Sequence, residues 1–183
     1  INDFADRNID PHVERTKNRP MAAGKVESKE AVLLAASLSL CAFLLILPLN
    51  QFTILLSVPA LFLAGTYPFT KRFFAMPQAY LGIAFSFGIP MAFAAQTNSL
   101  PSLSWVLMLA NLFWVIAYDT AYAIVDKPDD LKIGIKTSAI TLGRFDVLGV
   151  MLCHGMFIAI MLVIGFLQGM GVVYYAGLAV ATV

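Results

Sequence analysis

Three stretches of this chain carry no charged side chain: Ala31 to Thr70, Phe73 to Tyr118 and Val147 to Val183. Each is longer than a single buried helix of a water-soluble core. An apolar run of about 18 residues or more reads as a membrane span. A soluble bundle helix shows water a polar face with a period of about 3.6 residues. Windows such as AVLLAASLSLCAFLLILPL have no such face. Charged residues make up 13% of the chain, against about 25% in a soluble domain. In lipid every backbone group must be satisfied internally, which leaves helices or a closed barrel. These runs are too long and too unalternating for barrel strands. The fold class expected is therefore an all-α integral membrane protein with several spans.

Five spans are predicted, at Glu30–Leu49, Phe52–Phe69, Pro77–Ala95, Ser104–Val125 and Phe145–Leu167, with a sixth, 171–183, cut short at Val183. Residues 1 to about 10 read as the end of an earlier helix, and the whole of 1–183 as one domain truncated at both ends. Pro59 and Pro90 fall inside spans and are expected to kink them. The connections are of two kinds. Asn50–Gln51, Gln96–Pro101 and Gln168–Met170 are short and uncharged. The segments 3–30, 71–72, 126–136 and 144–146 hold all 12 Lys and Arg and every acid except Asp119. The two kinds alternate along the chain, so all the charge falls on one side, and the positive-inside rule makes that side cytoplasmic.

Other signals are sparse. A net charge of +1 gives no reason to expect nucleic acid. Cys41 and Cys153 lie in apolar spans without metal spacing and read as small core hydrophobes. His12 lacks ligand spacing, and His154 in its span reads as packing. No basic segment with a cleavage site marks a signal peptide. Gly24, Gly134 and Gly143 read as loop hinges.

Chemistry concentrates in two acidic clusters. The chain opens INDFADRNID; if this is helical, Asp3, Asp6 and Asp10 project within about 60° of one another. A solvated turn is the plain alternative. The second cluster, YDTAYAIVDKPDD, runs from Tyr118 to Asp130. Asp119 is reached before the helix leaves its apolar run, and an acid inside a span is a functional-site candidate. Asp119, Tyr122 and Asp126 share a face. Asp130 would extend it, although Pro128 predicts that the helix is disrupted there; Asp129 points elsewhere and reads as solvated. Two carboxylate faces on one side suit hard divalent cations, which bridge carboxylates to phosphate oxygens. Ordinary juxtamembrane charge and an ion pathway are the other readings. Basic residues lie between the clusters, in RTKNRP (Arg15 to Pro20) and YPFTKR (Tyr67 to Arg72). Arg grips diphosphate oxygens bidentately and Lys supplies a point charge; setting topology or meeting anionic lipid is the alternative.

At these motifs the chain resembles the UbiA superfamily of intramembrane prenyltransferases. NDxxDxxxD is matched by Asn2, Asp3, Asp6 and Asp10, and RxKxRP by Arg15 to Pro20. YPxxKR is matched by Tyr67 to Arg72, and DxxYAxxDxxxD by Asp119, Tyr122, Ala123, Asp126 and Asp130. KIGIKTS, Lys132 to Ser138, is a further family-like stretch. Val125 to Lys136 and Ser86 to Phe93 resemble the bacterial branch that acts on 4-hydroxybenzoate in ubiquinone biosynthesis.

The resemblance implies a bundle of nine transmembrane helices around a central cavity, of which this chain is a fragment. It implies Mg²⁺ held by Asp3, Asp6, Asp10, Asp126 and Asp130 against the diphosphate of a polyprenyl diphosphate donor. Asn2, Arg15, Lys17, Arg19, Lys71 and Arg72 are the expected diphosphate contacts. Asp119 is expected to orient or deprotonate the acceptor phenol, about two helical turns from the metal layer, with Tyr122 nearby; a metal or structural role is the alternative. The partners implied are the polyprenyl diphosphate, 4-hydroxybenzoate and membrane lipid, and the setting a bacterial inner membrane with the acidic motifs on the cytoplasmic side. The fragment by itself is expected to be inactive. Another acceptor (homogentisate, a naphthoate, haem or a glycerol phosphate) is the alternative within the fold. A transporter would place paired charges near the midplane, and a structural subunit would leave the facing acids unexplained.

Overall fold

A computed structural model describes residues 1–182. Every regular element among them is helical. A short helix α1 (Asn2–Asp6) and a 3-10 turn at Asp10–His12 lead through a polar segment to α2 (Ser28–Ile46). Next comes α3 (Gln51–Thr66), which continues into a 3-10 turn at Tyr67–Arg72. Helices α4 (Pro77–Ser86) and α5 (Gly88–Thr97) together make one span. The long α6 (Ser102–Ile133) is followed by a short α7 (Ser138–Leu142), α8 (Asp146–Leu167) and α9 (Val172–Ala181).

Five segments are long and apolar enough to cross a bilayer: Ser28–Ile46, Gln51–Arg72, Pro77–Thr97, Ser102–Ile133 and Ser138–Leu167. They overlap the five expected spans, with Ser102–Ile133 running on well past Val125 and Ser138–Leu167 starting well before Phe145. The sixth is met by α9 as far as Ala181, while its last residue, Val183, lies outside the described residues. Leu33, Leu45, Val58, Phe62 and Phe166 are each more than half exposed. So much large apolar surface is unstable against water and is satisfied by lipid. Cys41 is exposed for the same reason, since α2 buries none of its residues, and this corrects its reading as a core residue.

The turns on the uncharged side are tied together. Asn50 Oδ1 accepts the Thr53 N–H at 2.9 Å, capping α3, and its Nδ2 donates to the Ala94 carbonyl at 2.7 Å. The start of α3 and the end of α5 therefore lie side by side, as the alternation of connections requires. Nearer the middle, α4 meets α6 closely at Gly82, where a Cβ would stand 3.2 Å from the Leu112 carbonyl oxygen. Asn111 Nδ2 donates to Ser86 Oγ at 2.9 Å across the same contact.

Two local expectations change. The helix at the start of the chain ends at Asp6, and Asp10 opens a separate 3-10 turn. At the other cluster α6 runs straight through Pro128, correcting the predicted disruption. Proline there forfeits one backbone hydrogen bond. Neighbouring contacts hold the helix: Lys127 Nζ donates to the Gly143 carbonyl and to Asp146 Oδ2, both at 2.7 Å, and α6 packs on α7 and α8. The helix ends at Gly134, whose φ of +80° is the left-handed cap that favours glycine. By contrast Pro90 does interrupt its span: it has no N–H for the Ser86 carbonyl, and α4 gives way to α5 at Phe87.

Candidate functional site

The unbroken α6 presents Asp119, Tyr122, Asp126 and Asp130 along one face, in steps of three and four. That face closes one wall of a cavity of about 420 Å³. Asn2, Asp6 and Asp10 come to the opposite wall from the first cluster, and Lys71 enters from the turn after α3. The volume is of the size that holds a small ligand group.

One cation ties the segment behind the first cluster to the second cluster, and two others pair within the first. Arg15 and Asp126 lie 111 positions apart in sequence, and Arg15 Nε donates to Asp126 Oδ1 at 2.9 Å while its Nη2 binds Oδ2. This bidentate pair raises the Arg15 guanidinium pKa above its ordinary value, chiefly through the hydrogen bond to Asp126. Arg19 Nη1 donates to Asp3 Oδ1 and Asp10 Oδ2, both at 3.2 Å. Lys71 Nζ pairs with Asp6 Oδ2 at 2.5 Å. Burial nevertheless pushes the Asp6 carboxyl above the usual carboxylate range, outweighing Lys71. Aromatic rings run along α6 beside Asp119, from Tyr122 through Tyr118 to Trp114. The Arg15 guanidinium lies over the Tyr122 ring at 5.3 Å, Tyr122 meets Tyr118 edge-on, and Tyr118 stacks on Trp114.

Of the residues singled out from sequence, Asn2, Asp6, Asp10, Arg15, Arg19 and Lys71 line the cavity. So do Asp119, Tyr122, Asp126 and Asp130. Asp3 stands outside the lining and reaches it through Arg19. Lys17 and Arg72 are placed elsewhere. Lys17 pairs with Glu14 on the surface, and Arg72 Nη2 donates to the Ala5 carbonyl at 2.7 Å, bracing α1. Asp129, read as solvated, accepts the Glu14 N–H at 3.1 Å and pairs with Lys132 at 3.0 Å, so it fastens the polar segment to the end of α6.

Sequence reasoning did not single out Gln78, Tyr118 or Lys136 as site residues, yet all three line the cavity. Tyr67, known only as part of its motif, lines it too. Lys136 carried a signal in KIGIKTS, and its backbone N–H bonds the Lys71 carbonyl at 2.9 Å. Gln78 carried only a weak one, a lone amide at the mouth of an apolar span.

Among the described residues, no three His, Cys, Asp or Glu side chains converge tightly enough to hold a metal ion by themselves. The donor set is nonetheless suited to a hard cation that brings other ligands. Asp6 Oδ1 is buried without a hydrogen-bond partner. Asp130 is 4% exposed and, among the described residues, makes no ion pair. All these donors are carboxylate oxygens, and Mg²⁺ commonly completes its shell with water and substrate phosphate.

The model of the UbiA prenyltransferase family matches residues 1–183. The 4-hydroxybenzoate octaprenyltransferase of Nitrosomonas europaea is 72% identical over 181 residues, covering 99% of this chain and 62% of that protein. That of Paraburkholderia phymatum is 65% identical over 181 residues, covering 99% of this chain and 63% of that protein. The chain thus spans less than two thirds of the length of these relatives. Among solved structures, the apo structure of a UbiA homolog from Aeropyrum pernix K1 superimposes with a TM-score of 0.87 at 30% identity, over 98% of this chain and 68% of that one.

Proposed function

The chain belongs to the UbiA prenyltransferase family, and on that premise we propose that it carries the reaction centre of a 4-hydroxybenzoate polyprenyltransferase of ubiquinone biosynthesis. The reaction moves a polyprenyl group from its diphosphate to the ring carbon ortho to the acceptor hydroxyl and releases diphosphate. The relatives named above, at 72% and 65% identity, carry the name of this activity with an octaprenyl donor. The observation that carries the reading is the convergence of both acidic clusters, with Arg15, Arg19 and Lys71 between them, on one cavity beside apolar spans.

Asp6, Asp10, Asp126 and Asp130 are the residues that would hold Mg²⁺, with Asp3 acting from outside the lining. When bound, the metal neutralises the diphosphate and stabilises the charge it gains on leaving. Arg15, Arg19 and Lys71 grip the diphosphate oxygens, exchanging carboxylates for phosphates as it enters. Asn2 adds a neutral donor at the same wall. Asp119 accepts the proton of the acceptor hydroxyl, so that the oxygen electrons feed the ring carbon that attacks the allylic centre. The ring C–H proton at that carbon then leaves as the ring rearomatises, and the oxygen regains a proton. Tyr122, with Arg15 over its ring, separates this acceptor end from the diphosphate end. The apolar spans take the isoprenoid tail and exclude water from the allylic cation. The nine-helix bundle and a bacterial inner membrane with the acids on the cytoplasmic side complete this reading.

The test is prenyl transfer by membranes carrying the full-length protein, with radiolabelled 4-hydroxybenzoate and octaprenyl diphosphate, with and without Mg²⁺. Metal-dependent product that Asp6→Asn and Asp126→Asn each abolish is the expected result. Product with homogentisate, a naphthoate, haem or a glycerol phosphate in its place would move the acceptor; none with any of these acceptors would end the enzyme assignment.

A further inference from the structure

Gln78 is 5% exposed and stands in the first turn of α4, where it meets the start of α7. Its Oε1 accepts the Ser138 N–H at 2.9 Å. A backbone N–H can only donate, so this contact fixes which end of the amide is oxygen. The NH₂ end is left over, and Gln78 lines the same cavity as Asp119. Ser138 is held in its turn. Its Oγ shares a 2.7 Å hydrogen bond with Thr120 Oγ1, both side chains are buried, and Thr120 follows Asp119 directly on α6. Three elements, α4, α6 and α7, therefore lock the amide in one orientation.

A neutral donor suits this place better than a cation. An Arg or Lys paired with Asp119 would hold its carboxylate as tightly as Arg15 holds Asp126, and would make it a poorer proton acceptor. An amide gives one hydrogen bond, fixes the carboxylate plane and leaves the second oxygen open to the cavity.

We propose that Gln78 is the positioning residue for Asp119, its amide holding the carboxylate toward the acceptor hydroxyl. The inference rests on the reading of Asp119 as the group that takes the phenol proton. The proton passes from the phenol oxygen to Asp119, and the electron pair stays on the acceptor.

The experiment uses the full-length protein in nanodiscs with Gln78→Glu, Gln78→Met, Asp119→Asn and the Gln78→Glu/Asp119→Asn double variant. Glu keeps the acceptor for the Ser138 N–H but removes the NH₂ donor; Met removes both at similar volume. Both are expected to lower kcat with 4-hydroxybenzoate by on the order of 10- to 100-fold, the weight of one hydrogen bond to a charged group. KM for octaprenyl diphosphate stays unchanged. In the Asp119→Asn background Gln78→Glu adds no further loss, because the two act as one unit. With 3-fluoro-4-hydroxybenzoate, whose phenol is more acidic, the deficit relative to wild type narrows. Wild-type kcat in Gln78→Glu would reduce Gln78 to a brace for Ser138 and overturn the proposal. An undiminished loss in the Asp119→Asn background would overturn it as well. Both results require an active parent that Asp119→Asn cripples; a parent that prenylates no phenol, or is indifferent to Asp119→Asn, removes the reading of function beneath it.

Discussion

Arg15 ties the polar segment behind the first acidic cluster to the second cluster, with the geometry that only a guanidinium supplies. Its fork binds both oxygens of Asp126 while its face lies over Tyr122. A lysine would keep the charge and lose the fork. In the full-length protein Arg15→Lys is expected to lower kcat/KM by on the order of 10- to 100-fold, with the loss falling on KM for the diphosphate donor. Steady-state kinetics with varied donor checks this, and unchanged kinetics would leave Arg15 a topology signal only. Asp119 and Asp126 were legible in the sequence because acids in or beside an apolar span are costly and stand out. Lys17 and Arg72 sit in matching motifs yet turn to Glu14 and to the Ala5 carbonyl. A long flexible side chain has several partners within reach, and only the tertiary structure decides among them. Gln78 was illegible for the opposite reason, since an uncharged amide carries no electrostatic signature.

The helices show the same division between what spacing reveals and what packing decides. Charge-free runs pointed to the apolar helices because a span needs about 20 apolar residues, but not to where α6 ends, since it runs on past Val125 into the charged layer. Proline was read less well. Pro90 breaks its helix, whereas α6 continues through Pro128 because Lys127 is fastened to Gly143 and Asp146. That continuity places Asp126 and Asp130 on one face, so the geometry of the site depends on it. The contact of α4 with α6 brings Gln78 to the cavity that Asp119 lines, and Gly82 is where the two helices approach closely. Gly82→Val would drive a side chain against the Leu112 backbone carbonyl, which cannot move aside as its side chain can. The expected cost is about 1–3 kcal/mol of stability, seen as a lowered melting temperature in nanodiscs; an unchanged melting temperature would show that the two helices part without penalty.

Across the whole molecule, the charged layer is formed by the polar segment, the turn after α3 and the second half of α6, with the uncharged starts of α4 and α7 packed beside it. The long spans supply an apolar surface for lipid and for further helices. Helix α2 buries none of its residues, and the chain spans 62% of its Nitrosomonas europaea relative. Residues 1–183 alone are therefore expected to transfer no prenyl group under conditions where the full-length protein does; comparable turnover by the two would contradict this. The central claim is that two acidic clusters, distant in sequence, make one site for a divalent cation and a diphosphate. It is tested most directly by electron paramagnetic resonance of Mn²⁺, standing in for Mg²⁺, with the full-length protein in nanodiscs and an unreactive polyprenyl thiodiphosphate. The expected result is Mn²⁺ immobilised only when the analogue is present, with either Asp6→Asn or Asp126→Asn releasing it. Immobilisation that persists in one of these variants as in the parent would mean that the clusters act separately, and would contradict the account.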